Sequence, residues 1–177
     1  MTNKELFETY RSDVYRTCYY MLGQAADAED ICQEVFMTAF RSGWQHIDNV
    51  RAWLLRIAVN HCLNLLKRRT TLRSKLTNHS RLLIGTPEQT PDAAAEDREA
   101  AEEWAGYLGC LPIKIRAVIS LRYIHDLAIA EIAEILKIPA GTVKSRQYKG
   151  LKLLKQMLER QGKLNLNKGG AYEHQIY

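Results

Sequence analysis

The segment Asp126–Arg160, DLAIAEIAEILKIPAGTVKSRQYKGLKLLKQMLER, constrains this chain more than any other. Ile129, Ile132, Ala133 and Leu136 recur at helical spacing, Lys137-Ile138-Pro139 breaks the pattern, and Val143, Leu151, Leu154 and Leu158 resume it. A short apolar helix, a three-residue break and a longer helix outline a helix-turn-helix. Pro139 can open a helix because the amide it lacks would have no intrahelical partner there. Gly141-Thr142 permits close approach of the two helices, so the second is expected to begin at Pro139 or Ala140. Its exposed face carries Lys144, Ser145, Arg146, Lys149 and Lys152. From Lys137 to Lys163 eight Lys or Arg stand against one acid, a net of +7, while the whole chain is +5. Charge concentrated in this way suits a helix entering a DNA major groove, although a basic helix at a domain end is also commonly a solvated face.

A chain of 177 residues, 46% of them hydrophobic, can bury one real core or two small ones. No run of 18 apolar residues occurs, and the N-terminus MTNKELFETY is too acidic and polar for a signal peptide, so the expected location is the cytoplasm. Cys18, Cys32, Cys62 and Cys110 lie 14, 30 and 48 residues apart, which matches no compact metal knuckle. Each sits in an apolar helical setting and is expected to be a buried free thiol. His61 next to Cys62 does not make a ligand pair, because adjacent helical residues point in different directions. No metal and no cofactor are expected.

Three amphipathic segments open the chain, at about Lys4–Leu22, Ala26–Arg41 and Val50–Arg69. In the first, Leu6, Phe7, Tyr10, Val14, Cys18 and Met21 follow spacings of three and four and form a continuous stripe. The second starts with Asp27-Ala28-Glu29-Asp30, acids that favour the amino end of a helix. It turns Ile31, Val35 and Ala39 inward, with Asp30, Gln33, Glu34, Met37 and Thr38 around the remainder. Phe36 and Phe40, one turn apart, either pack on the next helix or belong to a partner surface. The third has a dense apolar face, Trp53, Leu54, Ile57, Ala58, Cys62, Leu65 and Leu66, and a polar remainder containing Arg51, Arg56, Asn60, His61, Asn64, Lys67, Arg68 and Arg69. Mid-helix asparagines gain little from helix propensity, so Asn60 and Asn64 suit base edges or phosphates, with local hydrogen bonds as the plainer alternative. Lys67-Arg68-Arg69 also complements the helix dipole, which alone could account for it.

A connection follows. Leu72–Ile84 can hold a short helix, and GTPEQTP at Gly85–Pro91 reads as a linker. From Glu88 to Glu103 seven acids stand against one Arg, a net of −6, which repels non-specific DNA contact or covers the chain's own basic surfaces. Helical pattern resumes at Ala93 with an apolar face of Trp104, Tyr107, Leu108 and Leu111. Leu111-Pro112 starts a new helix, where Ile115, Val118, Ile119, Arg122 and Tyr123 lead toward the helix-turn-helix. After Arg160 periodicity is lost and Gly169-Gly170 appears, which reads as a disordered tail. Strand-like alternation is almost absent, so the fold class is all-α.

Taken in order, DAEDICQEVFMTAF (Asp27–Phe40), VRAWLLRIAVNHCLNLLKRR (Val50–Arg69) and LPIKIRAVISLRYIHDLAIAEIAEILKIPAGTVKSR (Leu111–Arg146) closely resemble a bacterial sigma factor of the extracytoplasmic-function group. These are the small two-domain members of the sigma-70 family, and the resemblance runs from Tyr10 to about Leu158. It implies two small helical domains joined by a flexible linker: an N-terminal domain at 1–75, a linker at 76–92, a C-terminal domain at 93–160 with the helix-turn-helix, and a tail at 161–177. It implies core RNA polymerase as a partner through Asp30, Gln33, Glu34 and Met37. Promoter DNA near position minus 10 would be opened and read by Asn49, Asn60, His61 and Asn64, with Arg56, Lys67, Arg68 and Arg69 on phosphates, and Trp53 beside them expected in the core rather than as a stacking platform. The minus 35 element would be read as duplex by Thr142, Lys144, Ser145, Arg146 and Lys149. An anti-sigma factor, membrane-bound in many members, is the further implied partner, and it could hold the chain at the inner face of the membrane. No small-molecule substrate is implied.

The chain departs from the family pattern at several positions. Asp126 and Ala128 stand where the family often has glycine and serine or threonine, so Asp126 is a candidate cap. Gln147, Lys149, Gly150 and Leu151 replace the usual leucine, arginine, alanine, arginine run, and Asn64 replaces a frequent aspartate. The alternative is a stand-alone helix-turn-helix regulator, for which the Asp27–Arg69 block would be superfluous. An enzyme is disfavoured. There is no phosphate loop, no nucleophile elbow and no paired metal ligands, and Asp30 with Glu34 lacks the Glu-x-x-His helices of a carboxylate metal site.

Overall fold

The computed structural model describes residues 1–76, 95–160 and 162. Its elements in order are α1 (Asn3–Leu22), α2 (Ala25–Arg41), a 3-10 turn (Trp44–His46), α3 (Val50–Leu76), α4 (Ala95–Gly109), α5 (Ile113–Ile124), α6 (Ile129–Leu136) and α7 (Ala140–Arg160). No strand occurs among the described residues, so the all-helical expectation holds.

Local chemistry sets the helix ends. The Glu5 amide donates to Thr2 Oγ1 at 3.3 Å and the Thr2 amide donates to Glu5 Oε2 at 2.6 Å, a reciprocal cap that starts α1. Gly23, at φ 75°, ends it in the left-handed region, and its amide donates to the Tyr19 carbonyl at 2.7 Å. Asn49 Oδ1 accepts from the Ala52 amide at 3.0 Å and so caps the start of α3. α3 then runs unbroken to Leu76, so Leu72–Leu76 ends a long helix instead of beginning a short one. The remainder of the expected short helix, the GTPEQTP linker and the tail, apart from Gly162, lie outside the described residues.

Asp126 does not cap α6. It sits at φ 52° in the preceding turn, and α6 begins after Ala128, whose amide donates to Glu131 Oε2 at 2.7 Å. The carboxylate three residues inside the helix serves the role that the first departing residue was expected to take. The break at Lys137-Ile138-Pro139 is as the sequence indicates, with Lys137 left-handed at φ 51° and α7 starting at Ala140.

α1 is the common wall. Its buried Leu6, Val14, Cys18 and Met21 pack with Ile31, Val35, Phe36, Leu54, Leu55 and Val59 of α2 and α3. The same continuous cluster takes in Ala117, Val118 and Leu121 of α5, Ile132 and Ile135 of α6, and Val143 of α7. A second cluster, Tyr107, Leu108, Leu111, Ile119 and Leu154, joins α4, α5 and α7, and Tyr20 of α1 packs against it. Each fully buried aliphatic side chain contributes about 1.5–3 kcal/mol. Two expectations fail here. Trp104 is 47% exposed, and the buried side of α4 is Ala105, Tyr107 and Leu108, because the helix rotates its smaller residue inward. Cys110 is exposed in the turn between α4 and α5, where no helix covers it. Cys18, Cys32 and Cys62 are buried free thiols; the hydrogen bond that the Cys18 thiol donates to Cys62, together with burial, pushes Cys18 up, and burial pushes Cys32 up to about 11. All three are chemically quiet core residues.

Arg116 is the unusual core member. Its guanidinium donates to the Met21 carbonyl at 2.6 Å, the Gly109 carbonyl at 2.6 Å and the Leu111 carbonyl at 3.1 Å. Those acceptors lie at the C-terminal ends of α1 and α4, where carbonyls have no intrahelical partner and the helix dipole is negative. Burial pushes the guanidinium below its usual value, yet it stays a cation, and here two helix ends replace the carboxylate normally found beside such a charge.

Gly150 lies in the middle of α7, where glycine is about 1 kcal/mol worse than alanine in a free helix. The reason for it is tertiary. A Cβ at this position would meet Ile119 at 2.6 and 2.7 Å and Ile115 at 2.9 Å, so only glycine lets α7 lie this close to α5. Gly150→Ala is therefore expected to destabilise the fold by about 1–2 kcal/mol, the overpacking cost exceeding the propensity gain. Thermal unfolding followed by circular dichroism should show a midpoint lowered by several degrees, and an unchanged or raised midpoint would contradict this packing.

Candidate nucleic-acid and partner interfaces

Helix α3 presents its polar residues toward solvent along most of its length. Asn60, Asn64, Lys67, Arg68 and Arg69 are exposed, His61 and Arg56 half-buried, and Trp53 packs partly buried on the core. Asn64, Lys67, Arg68, Thr71 and Leu72 line a groove of about 640 Å³. The one-turn spacing places an amide, two cations and a hydroxyl along one strip, a surface able to hold a phosphodiester and donate to a base edge. Asn49 stands apart from this strip, occupied as the helix cap.

The exposed face of α2 is formed by Asp30, Gln33, Glu34 and Met37, the last 51% exposed, with Phe40 half-exposed at its end. The aromatic pair divides its roles. Phe36 is buried with its ring 4.9 Å from that of Phe7, and Phe40 looks outward from 6.0 Å away. A stripe that alternates acid, amide and apolar groups suits a helical partner with basic residues.

Residues expected to serve different partners are joined to each other across α2 and α3. Asp27 accepts both Nη1 and Nη2 of Arg69 at 2.8 Å, and His61 Nδ1 lies 3.1 Å from Glu34 Oε2. Arg51 Nε donates to Asp13 Oδ2 at 2.7 Å and so faces α1. Of the α3 cations, Lys67 and Arg68 are the ones held in the groove, while Arg69 is already committed to a fork-shaped ion pair.

On α7 the buried line runs through Val143, Gly150 and Leu154. Opposite it stand Ser145, Tyr148 and Lys152, flanked by Lys144 and Lys149; Thr142 and Arg146 are half-buried at the rim. Ser145 Oγ donates to the Thr142 carbonyl at 3.0 Å. Gln147, at the seam, donates from Nε2 to Tyr123 Oη at 3.0 Å and ties α7 to α5. Tyr148, 68% exposed, is the residue that sequence reading passed over. Its signal is present in the spacing, one turn from Lys144 and one turn from Lys152.

Residues 6–71 match Sigma-70 region 2, and residues 107–156 match Sigma-70, region 4. SigW of Bacillus subtilis, an ECF RNA polymerase sigma factor, is 32% identical over 169 residues, with 87% of each chain covered. This chain belongs to the extracytoplasmic-function sigma factors of the sigma-70 family. SigL of Mycobacterium tuberculosis, another member, is 34% identical over 169 residues with 90% of each chain covered. Two solved structures share the fold. The sigma factor RpoE bound to the anti-sigma factor NepR, from Bartonella quintana, has a TM-score of 0.65 at 19% identity, covering 88% of this chain and 96% of that one. CnrH bound to the cytosolic domain of CnrY has a TM-score of 0.63 at 20% identity, covering 89% and 88%. As a sigma factor the chain is not an enzyme, and no described helix is long and apolar enough to cross a membrane.

The α2–α3 ion pair of this sigma factor is measurable. A double-mutant cycle of Asp27→Asn and Arg69→Gln, read by urea unfolding, should give a coupling energy of about 1 kcal/mol, the upper end for a partly exposed pair because both hydrogen bonds form. Additive single effects would show that the pair does not hold α2 to α3.

Proposed function

We propose that this sigma factor binds core RNA polymerase through the exposed face of α2 and then engages two promoter elements, using α3 at the minus 10 region and α7 at the minus 35 region. The observation that carries this reading is the presence in one chain of two exposed basic surfaces, on α3 and on α7, beside an exposed acidic and apolar face on α2. Asp30, Gln33, Glu34 and Met37, extended by Phe40, form the polymerase contact. Asn60, His61 and Asn64 meet bases exposed by strand opening, where unstacked bases offer their edges, and Arg56, Lys67 and Arg68 hold phosphates. Asn49 supports that site by fixing the start of α3, and Arg69 joins it only by leaving Asp27.

On α7 the reading of duplex falls to Lys144, Ser145, Tyr148 and Lys149, with Thr142 and Arg146 positioned at the groove edge. Two weak readers in one chain raise each other's effective concentration, so neither needs high affinity alone. The chain works in the cytoplasm and is restrained by an anti-sigma partner, as the named relative RpoE is bound by NepR.

Run-off transcription with purified core polymerase on fragmented genomic DNA, followed by sequencing of RNA starts, tests the whole reading. Initiation from a narrow promoter set is expected. Footprinting of duplex DNA without polymerase, and no stimulation with it, would indicate a stand-alone regulator instead. Asn64→Ala should lower initiation about 5- to 100-fold with the loss concentrated on particular downstream sequences, as removal of a base contact does. Lys144→Ala should act at the upstream element, and a phosphate-only role would show as a uniform loss with a salt slope shallower by about 1. Equal effects of both variants on every promoter would refute the division of labour.

A further inference from the structure

The seam between α1 and the C-terminal helices contains a buried imidazole. His125, in the turn after α5, lies with Nε2 2.8 Å from Thr17 Oγ1. Thr17 already donates its own hydroxyl hydrogen to the Asp13 carbonyl at 3.0 Å, so the histidine must be the donor and Nε2 carries its proton. Nδ1 is then a bare lone pair, fully buried and without a hydrogen-bond partner, 3.8 Å from Asp13 Oδ1. Ser120 Oγ and Arg116 Nε, also in the C-terminal helices, are buried without partners as well. A contact that leaves polar atoms bare is costly to keep closed, because each such group has given up water for nothing.

The charges around His125 decide which form of the ring the seam accepts. Asp13 on α1 favours a second proton, but Arg51 on α3 already engages that carboxylate at 2.7 Å. Arg16 on α1 and Arg51 both oppose another cation, and Asp126 beside the ring adds only a weak pull toward protonation. Burial is the largest influence and lowers His125 from the ordinary histidine value to about 4. Once α1 and the C-terminal helices separate, the ring regains water and its ordinary value of about 6.5.

We propose that His125 is a proton-sensitive latch: as a neutral ring seated on Thr17 it closes the C-terminal helices onto α1, and a proton on Nδ1 releases them. Arg116, bridging the ends of α1 and α4, closes the same seam at its other end. The direction follows from the ring's lowered value in the closed state. Closure has its full support above about pH 6.5 and weakens as pH falls from there toward about 4, roughly tenfold per unit, so the closed-to-open ratio should drop about 30-fold between pH 7.5 and pH 5.

The consequence for the chain rests on the two-surface reading above. Helix α6 packs directly on α3, and a compact chain of this length is only about 40 Å across. Elements at minus 10 and minus 35 are roughly 25 base pairs apart, about 85 Å along the duplex. A closed chain cannot reach both, so whatever opens the seam licenses promoter engagement.

The test needs neither polymerase nor DNA, so it fails or succeeds apart from the proposed function. The His125 Cε1–H resonance of the full-length protein, assigned by comparison with His125→Gln, is titrated from pH 7.5 to pH 4. Small-angle scattering and far-ultraviolet circular dichroism are recorded on the same samples at constant ionic strength. The imidazole should titrate well below 6.5, the radius of gyration should rise in step with its protonation, and helicity should stay constant. His125→Gln, which can still donate to Thr17 but cannot take a proton, should remain compact across the range. Thr17→Val should return His125 toward its ordinary value and enlarge the protein at neutral pH. A ring that titrates at 6.5 or above in the native chain, protonation with no change in size, loss of helicity together with expansion, or the same acid response in His125→Gln would each overturn the latch.

Discussion

A single guanidinium holds the ends of two helices that are far apart in the chain. Arg116 spends its hydrogen bonds on the carbonyls of Met21, Gly109 and Leu111, and through them fixes where α1 stops relative to where α4 turns into α5. The other contacts of the seam are built around that placement. With these two ends together, Tyr20 packs against the second apolar cluster, His125 reaches Thr17, and α6 lies on α3. A neutral side chain could fill the space but could not satisfy several dipole-aligned carbonyls at once, which is why a buried charge is tolerated without a carboxylate partner.

From that constraint the molecule divides its duties between packing and display. Gly150 brings α7 against Ile115 and Ile119, and the close approach leaves Ser145, Tyr148 and Lys152 on the opposite side with nothing over them. The same logic places the apolar line of α3 inward and its amides and cations outward. Beside α3, α2 contributes acids that are partly used internally, Asp27 by Arg69 and Glu34 by His61. The surface that resembles a polymerase contact and the surface that resembles a DNA contact are thus electrostatically joined before any partner is present.

Much of this was legible in the chain itself. The α1 stripe from Leu6 to Met21, the inner face of α2 and the break at Lys137-Ile138-Pro139 were readable because an amphipathic helix repeats every 3.6 residues and a local breaker interrupts it. The misreadings share a cause. Trp104 was assigned to a core face and Cys110 to a buried helix from neighbours in sequence, whereas their exposure depends on which side of α4 and its turn meets α1. Asp126 looked like a cap, but Glu131 already satisfies the Ala128 amide. For the candidate sites, the chain names residue types on α2, α3 and α7 but not their engagements. Asn49 as a helix cap is a local signal that was read as a DNA contact, and Arg69 as half of an ion pair is invisible until the helices are placed.

By itself the sequence determined that this chain is helical, that it ends in a helix-turn-helix with a strongly basic second helix, and that it carries the ordered segments of an extracytoplasmic-function sigma factor. These are statements about period, charge and local order, which a linear string contains. Only the tertiary structure decided that Thr17 and His125, 108 residues apart, share a buried hydrogen bond and that Arg116 ties together the two halves. It also decided that Gly150 is an obligation of packing and not a defect. Such contacts depend on helix crossing angles and on which side chains lose water together, and no spacing along the chain encodes either.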